Sequence, residues 1–138
     1  MAFATSQYSR NQVDRAGAYL AKIWAADYGS YDYDEMVRAD EIVSNWRASH
    51  CFPLNNFQTN LRAKVKHIQS DVLVAQRIKR LESVVAKLRR DQTQTMELSQ
   101  MQDIGGCRAI LRSVQNVNKL VDAHRRSKFA HKLRGEKN

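Results

Sequence analysis

The chain has 138 residues, 43% of them apolar and 27% charged, with a formal net charge of +9. That is the size of one domain, too apolar for a wholly disordered chain and without the composition of a collagen-like or mucin-like one. No apolar run exceeds four residues, far short of the roughly 20 that a transmembrane helix needs, and the N-terminus lacks the pattern of a signal peptide.

In chain order, the first part reads as three helices. Val13, Ala16, Leu20, Ile23 and Trp24 recur at helical spacing, with Ser9 or Asn11 as the cap. Gly29-Ser30 breaks that helix. A second starts at Asp32-Tyr33-Asp34-Glu35, acidic where the helix dipole favours acid, and carries Met36, Ala39, Val43 and Trp46 on one stripe. Pro53, the only proline, is expected to end or kink it. The third stripe is Leu54, Phe57, Leu61, Val65 and Ile68. The pattern then changes. Residues 72–79 are short, β-branched and bounded, and predict a strand. A helix follows with Leu81, Val84, Val85 and Leu88 on one face. Residues 91–95 read as a loop and 98–102 as one helical turn. Residues 105–111 predict a strand broken by Gly105-Gly106, which suggests a bulge or a close backbone approach. Ser113 then caps a helix with Val114, Val117, Leu120 and Val121 facing inward. The expected class is α+β, a helical region over residues 1–70 followed by the first part of a mixed sheet over residues 71–138. So few strands leave an open edge, a site for pairing or self-association.

Charge and aromatic residues are segregated. Residues 1–59 hold 5 Lys/Arg and 7 Asp/Glu, a balance of −2, and residues 60–138 hold 18 and 7, a balance of +11. All five tyrosines and both tryptophans precede residue 50. A single-strand-binding groove interleaves stacking partners with its basic groups. Here the basic half is nearly free of aromatics, which points to capture of phosphate by point charges.

Two features carry the chemistry. Arg77 and Lys79 share a strand face, and Ser83 and Lys87, four residues apart, share a helix face. The intervening loop brings the end of the strand to the start of the helix, whose free N–H groups favour an anion. Two ammonium groups, a hydroxyl and a guanidinium there make a triphosphate cradle. Spacing alone does not separate this cradle from a solvated basic helix face, the commoner arrangement. The second feature is Asp103, at the entry to the second strand. It suits Mg²⁺, which binds through one or two carboxylates plus substrate phosphates. It also suits a turn or cap, the commoner fate of Asp before Gly. Arg108 has the opposite strand parity from Asp103, so both serve one pocket only if Gly105-Gly106 forms a bulge.

Arg77-x-Lys79, then Ser83 and Lys87, then Asp103-Ile104-Gly105-Gly106-Cys107-Arg108 resemble the synthetase domain of the RelA/SpoT family. Residues 45–55, Asn-Trp-Arg-Ala-Ser-His-Cys-Phe-Pro-Leu-Asn, resemble the helical lead of its small stand-alone subgroup. The resemblance implies a nucleotidyltransferase-like sheet and a transferase of the stringent response. Such an enzyme moves the β,γ-pyrophosphate of ATP to the 3′-hydroxyl of GDP or GTP and so makes the alarmone (p)ppGpp (guanosine tetra- or pentaphosphate). It implies that Arg77 and Arg108 flank the adenine, that Lys79, Ser83 and Lys87 hold the ATP phosphates, and that Asp103 is the catalytic carboxylate binding Mg²⁺. In the family a Pro-Lys-x-x-Gly-Tyr-Arg type loop and a later glutamate complete the acceptor side. This chain reaches Asn138 before such elements, and no tyrosine follows Tyr33. The expectation is therefore a truncated synthetase keeping the ATP half, inactive alone. The alternatives are a synthetase-like toxin that pyrophosphorylates tRNA 3′ ends, and a non-catalytic binding remnant.

Other candidates are weaker. Cys51 and Cys107 are too few for a disulfide framework, so a reduced, cytoplasmic setting is expected. His50 and Cys51 lack partners at zinc-ligand spacing, and Cys107 reads as a buried thiol. His67, His124 and His131 lack the carboxylate and serine of a nucleophilic triad. Trp46 reads as core, and Arg47 as paired with a surface acid or reaching RNA. The basic end (Arg125, Arg126, Lys128, Lys132, Arg134, Lys137) reads as a phosphate or tRNA contact or as a solvated terminus.

Overall fold

Ser9, rather than Asn11, starts the first helix. In a computed structural model, which describes residues 2–25, 31–90, 96–128 and 135, Ser9 is extended and caps α1 (Arg10–Ile23). Its hydroxyl accepts from the Gln12 amide at 3.3 Å, while the Gln12 side chain accepts from the Ser9 amide at 2.9 Å. Each group satisfies a donor that the helix start leaves free. Asp32 caps α2 (Tyr33–Ser49), accepting from the amides of Asp34 and Glu35 at 2.9 and 3.1 Å. The Gly29-Ser30 break lies outside the described residues.

Pro53 does not end α2. That helix stops at Ser49, and α3 (Cys51–Lys66) begins two residues later. Pro53 occupies the first turn of α3, where a missing N–H removes no intrahelical bond. Beyond α3 come β1 (Leu73–Ile78), α4 (Leu81–Arg90), one 3₁₀ turn (Leu98–Gln100), β2 (Gly105–Ile110) and α5 (Val114–Arg125). The expected loop at 91–95 lies outside the described residues. Among the described residues no helix is long and apolar enough to cross a membrane.

The architecture is α+β. Among the described residues the sheet is a two-stranded antiparallel ribbon, with Leu73 opposite Ile110 and Ile78 opposite Gly105. The register runs without a break, and Lys79 N–H donates to the Ile104 carbonyl at 2.7 Å to extend the ladder. The bulge expected at Gly105-Gly106 is therefore absent. Alternation sets two faces. Val74, Gln76, Ile78, Gly105, Cys107 and Ala109 share the face toward α3, where Leu54 lies 3.3 Å from the position of a Cβ on Gly105. Ala75, Arg77, Gly106 and Arg108 share the other face and are all exposed. An isolated ribbon is marginal in water, and this one is stabilised by α3 on one side.

The core joins both halves of the chain. Val13, Ala16 and Leu20 of α1 pack with Ala39, Ile42 and Val43 of α2, Val84 and Val85 of α4, and Leu98, Met101 and Ile104. Trp46 packs at the edge of this cluster. One expectation fails at α5. Val114 and Val117 are exposed, and no residue of that helix is buried, because α5 rests against α3 and has no second layer beyond it among the described residues.

Among the described glycines, Gly17 of α1 has the closest neighbours. A Cβ there would lie 2.9 Å from the Leu98 Cβ and 3.1 Å from Leu88 Cδ1. The Leu98 turn is also tied to α1 by Asp14, which accepts from the Ser99 amide at 2.7 Å and its hydroxyl at 2.9 Å. Alanine is worth up to about 1 kcal/mol over glycine in a helix, but overpacking costs about 1–3 kcal/mol. Gly17→Ala is expected to lower stability despite the better helix former, and thermal denaturation followed by circular dichroism checks it.

Candidate functional site

The exposed face of the ribbon borders a cleft of about 360 Å³, lined in part by Ala75, Arg77, Lys79, Asp103, Gly106 and Arg108. Three elements meet there. Lys79 directly follows β1, Lys87 projects from α4, and Asp103 sits in the turn before β2. Lys79 Nζ donates to Asp103 Oδ2 at 3.0 Å, and Lys87 Nζ donates to Oδ1 at 2.6 Å.

Each member is anchored differently. The Lys79 backbone is held on both sides: its N–H donates to Ile104, and its carbonyl accepts from Arg47 Nε at 2.9 Å. Arg47 stands in the last turn of α2; among the described residues it forms no ion pair with an acid, and its Nε bond props the end of β1. No local sequence signal marks that role, because the partner is a backbone carbonyl 32 residues away. Asp103 is fixed by its neighbours, since Met101 and Ile104 are buried plugs in the core on either side of it. Asp103 lies in a turn, so strand parity does not govern it, and it reaches the Arg108 side of the ribbon without any bulge.

The site residues read from the sequence are therefore only partly assembled. Lys79, Lys87 and Asp103 are in direct contact. Arg77 and Arg108 line the same cleft from adjacent strands. Ser83 is exposed on α4 and takes no part in the ion triad or in lining the cleft. Among the lesser candidates, the thiols of Cys51 and Cys107 are both free. Partial burial pushes the Cys107 thiol up, and Cys107 donates to the Leu54 carbonyl at 3.7 Å; it is half-buried rather than buried and adds to the lining of the cleft. His50 turns its Nδ1 to the Trp46 carbonyl at 2.7 Å and its ring edge-on to Trp46. His131 and half of the basic end (Lys132, Arg134 and Lys137) lie outside the described residues.

The electrostatics follow from the geometry. One carboxylate meets two ammonium groups, and two arginines line the same cleft, so its lining carries an excess of positive charge. Hydrogen bonding from Lys87, then from Lys79, outweighs partial burial and lowers the Asp103 carboxyl from its ordinary 3.8 to about 2. Among the described residues no three His, Cys, Asp or Glu side chains could jointly hold a metal ion. Asp103 alone fits Mg²⁺ only where phosphate oxygens and water supply the remaining ligands. The arrangement is an anion-binding cleft with one acidic group, suited to a polyphosphate with or without a bridging metal.

No protein-family model matches the chain, and no curated protein matches it.

Because the folded-state carboxyl titrates below its ordinary value, the ion triad adds stability that is complete above about pH 4 and is lost as the pH falls through about 2. Asp103 is 52% exposed, so salt screens the effect. Asp103→Asn is expected to flatten the acid limb of the stability curve between about pH 4 and 2, leaving a smaller difference from wild type at high salt. Denaturant unfolding across that range checks it.

Proposed function

We propose that this chain is a pyrophosphotransferase of the RelA/SpoT type, whose described cleft takes the ATP side of the reaction. The observation that carries the reading is the meeting of Lys79 and Lys87, from a strand end and a helix, on Asp103 beside Arg77 and Arg108. It adds to the order and spacing of the motif residues.

In this reading the acceptor 3′-hydroxyl oxygen attacks the β-phosphorus of ATP. The bond from that phosphorus to the α,β-bridging oxygen breaks, AMP leaves, and the hydroxyl proton is released. The chemistry asks the protein mainly for positioning and charge neutralisation. Lys79 and Lys87 bring two positive charges to the phosphates. Asp103 is the group that would hold Mg²⁺ against them, the ion supplying charge compensation on the phosphate oxygens.

The two arginines support a place for the base. Arg77 is opposite Gly106, and Arg108 lies two residues further along β2, so the two are diagonal neighbours on one face. Diagonal stations are about 7–8 Å apart. A planar ring touched on both faces at about 3.5–4.0 Å needs that opening, and guanidinium groups stack on such rings. Gly106 lies between the two with nothing within 4 Å of where its Cβ would be, and its φ is not left-handed. Neither packing nor backbone conformation within the chain requires glycine there. Close approach of a ligand is one reason for glycine in a strand.

Gly106→Leu is therefore expected to leave thermal stability unchanged or slightly raised, and to weaken binding of ATP with Mg²⁺ by about tenfold or more, since one tenfold step is about 1.4 kcal/mol. Calorimetric titration beside a melting curve checks both. The function itself is tested with ATP labelled in its γ-phosphate, offered with GDP, GTP or tRNA. No transfer by this chain alone is expected; with the acceptor-side elements supplied, label in the guanine nucleotide, lost in Lys79→Ala and Asp103→Ala, is the expected result. Label in tRNA alone moves the reading to a toxin-like acceptor. A wild-type chain that binds no ATP with Mg²⁺ overturns it and leaves a binding module of another kind.

A further inference from the structure

We propose that Lys79 and Lys87 are built-in counter-cations that close Asp103 to a free divalent ion and open it to a metal that arrives on a polyphosphate. The proposal rests on the ATP reading above and concerns how that site selects the form of its ligand.

Both carboxylate oxygens of Asp103 are occupied, Oδ2 by Lys79 at 3.0 Å and Oδ1 by Lys87 at 2.6 Å. The two ammonium groups come from different elements, so moving one does not move the other. Lys79 is the better enclosed, with 15% of its side chain exposed against 36% for Lys87, and its backbone is pinned at both N–H and carbonyl. A free divalent ion must displace an ammonium from an oxygen it already neutralises. It must do so in a cleft that holds two more guanidinium groups and no second carboxylate. Among the described residues that line the cleft, every charged group but Asp103 repels it, and a magnesium ion gives up its water reluctantly.

A polyphosphate reverses both terms. Its oxygens accept the two ammonium groups and so free the Asp103 oxygens, and its negative charge offsets the excess in the cleft. Metal and polyphosphate then favour each other's binding, and such coupling is reciprocal. The lysines serve two states with the same charges: they neutralise Asp103 before the ligand binds and neutralise phosphate afterwards.

The test measures binding of free Mn²⁺ to the full chain by electron paramagnetic resonance, with no nucleotide present. Removing one positive charge within about 4 Å of a divalent ion changes affinity by about tenfold or more even in a water-like dielectric. Lys87→Gln is therefore expected to bind free Mn²⁺ about tenfold tighter than wild type, and Lys87→Gln with Asp103→Asn to lose that gain. Lys87 is partly exposed, so circular dichroism is expected to show this variant folded. Lys79→Gln provides a second, independent removal of charge. Equal Mn²⁺ affinity in wild type and both lysine variants overturns the proposal, as does a gain that persists without Asp103. A calorimetric titration with ATP and Mg²⁺ separates the two readings. No binding there defeats the ATP assignment, whereas binding with unchanged free-Mn²⁺ affinity in the lysine variants defeats only the counter-cation role.

Discussion

The close seat of the Leu98 turn on α1 governs the rest of the structure. Gly17 lets Leu98 approach so near that a methyl group would collide, and Asp14 clamps Ser99 beside it. That contact joins residues some 80 positions apart in the chain and carries Leu98, Met101 and Ile104 into one apolar cluster with the first two helices. Asp103 has no packing of its own. It stands where it does because its neighbours on both sides are buried, so a single exposed carboxylate inherits its position from the core beneath it.

The second constraint is a sheet with one covered face. Helix α3 closes one side of the ribbon, and alternation then leaves Arg77, Gly106 and Arg108 on the other. The same arrangement leaves Leu73 at 62% and Ile110 at 55% exposure, a pair opposite each other at the end of the bare face. A strand buries apolar side chains only where a second layer exists to receive them. Helix α5 meets the same limit, which is why Val114 and Val117, read as inward-facing, stand in solvent.

The charge arrangement unites these parts. A positive field from the second half of the chain attracts phosphate in general. It becomes selective only where a negative group of the protein holds the cations in place. With Asp103 between them, the lysines are already held in place, so under the proposed reading less side-chain entropy would be lost when phosphate replaced the carboxylate. The hydrogen bond from the Arg47 side chain to the Lys79 carbonyl extends that ordering to the second helix.

Much of the fold was legible in the sequence because local chemistry determines it. Ser9 and Asp32 start their helices with hydrogen bonds that span only three residues, periodic valines and leucines marked the helices, and a β-branched run marked β1. The strand face shared by Arg77 and Lys79 and the helix face shared by Ser83 and Lys87 were equally local. Other features depended on distance. Whether Gly105-Gly106 bulged, which carboxylate oxygen each lysine would hold, whether Ser83 would join them, and what Arg47 would touch all depended on which segments meet. Residue spacing along the chain encodes periodicity within one element, but no angle between elements. So the sequence by itself marked the helices and strands, the Ser113 cap and the positive second half. Only the tertiary structure, through the Leu98 turn on α1 and the single covered face of the ribbon, decided that Lys79, Lys87 and Asp103 meet while Ser83 does not.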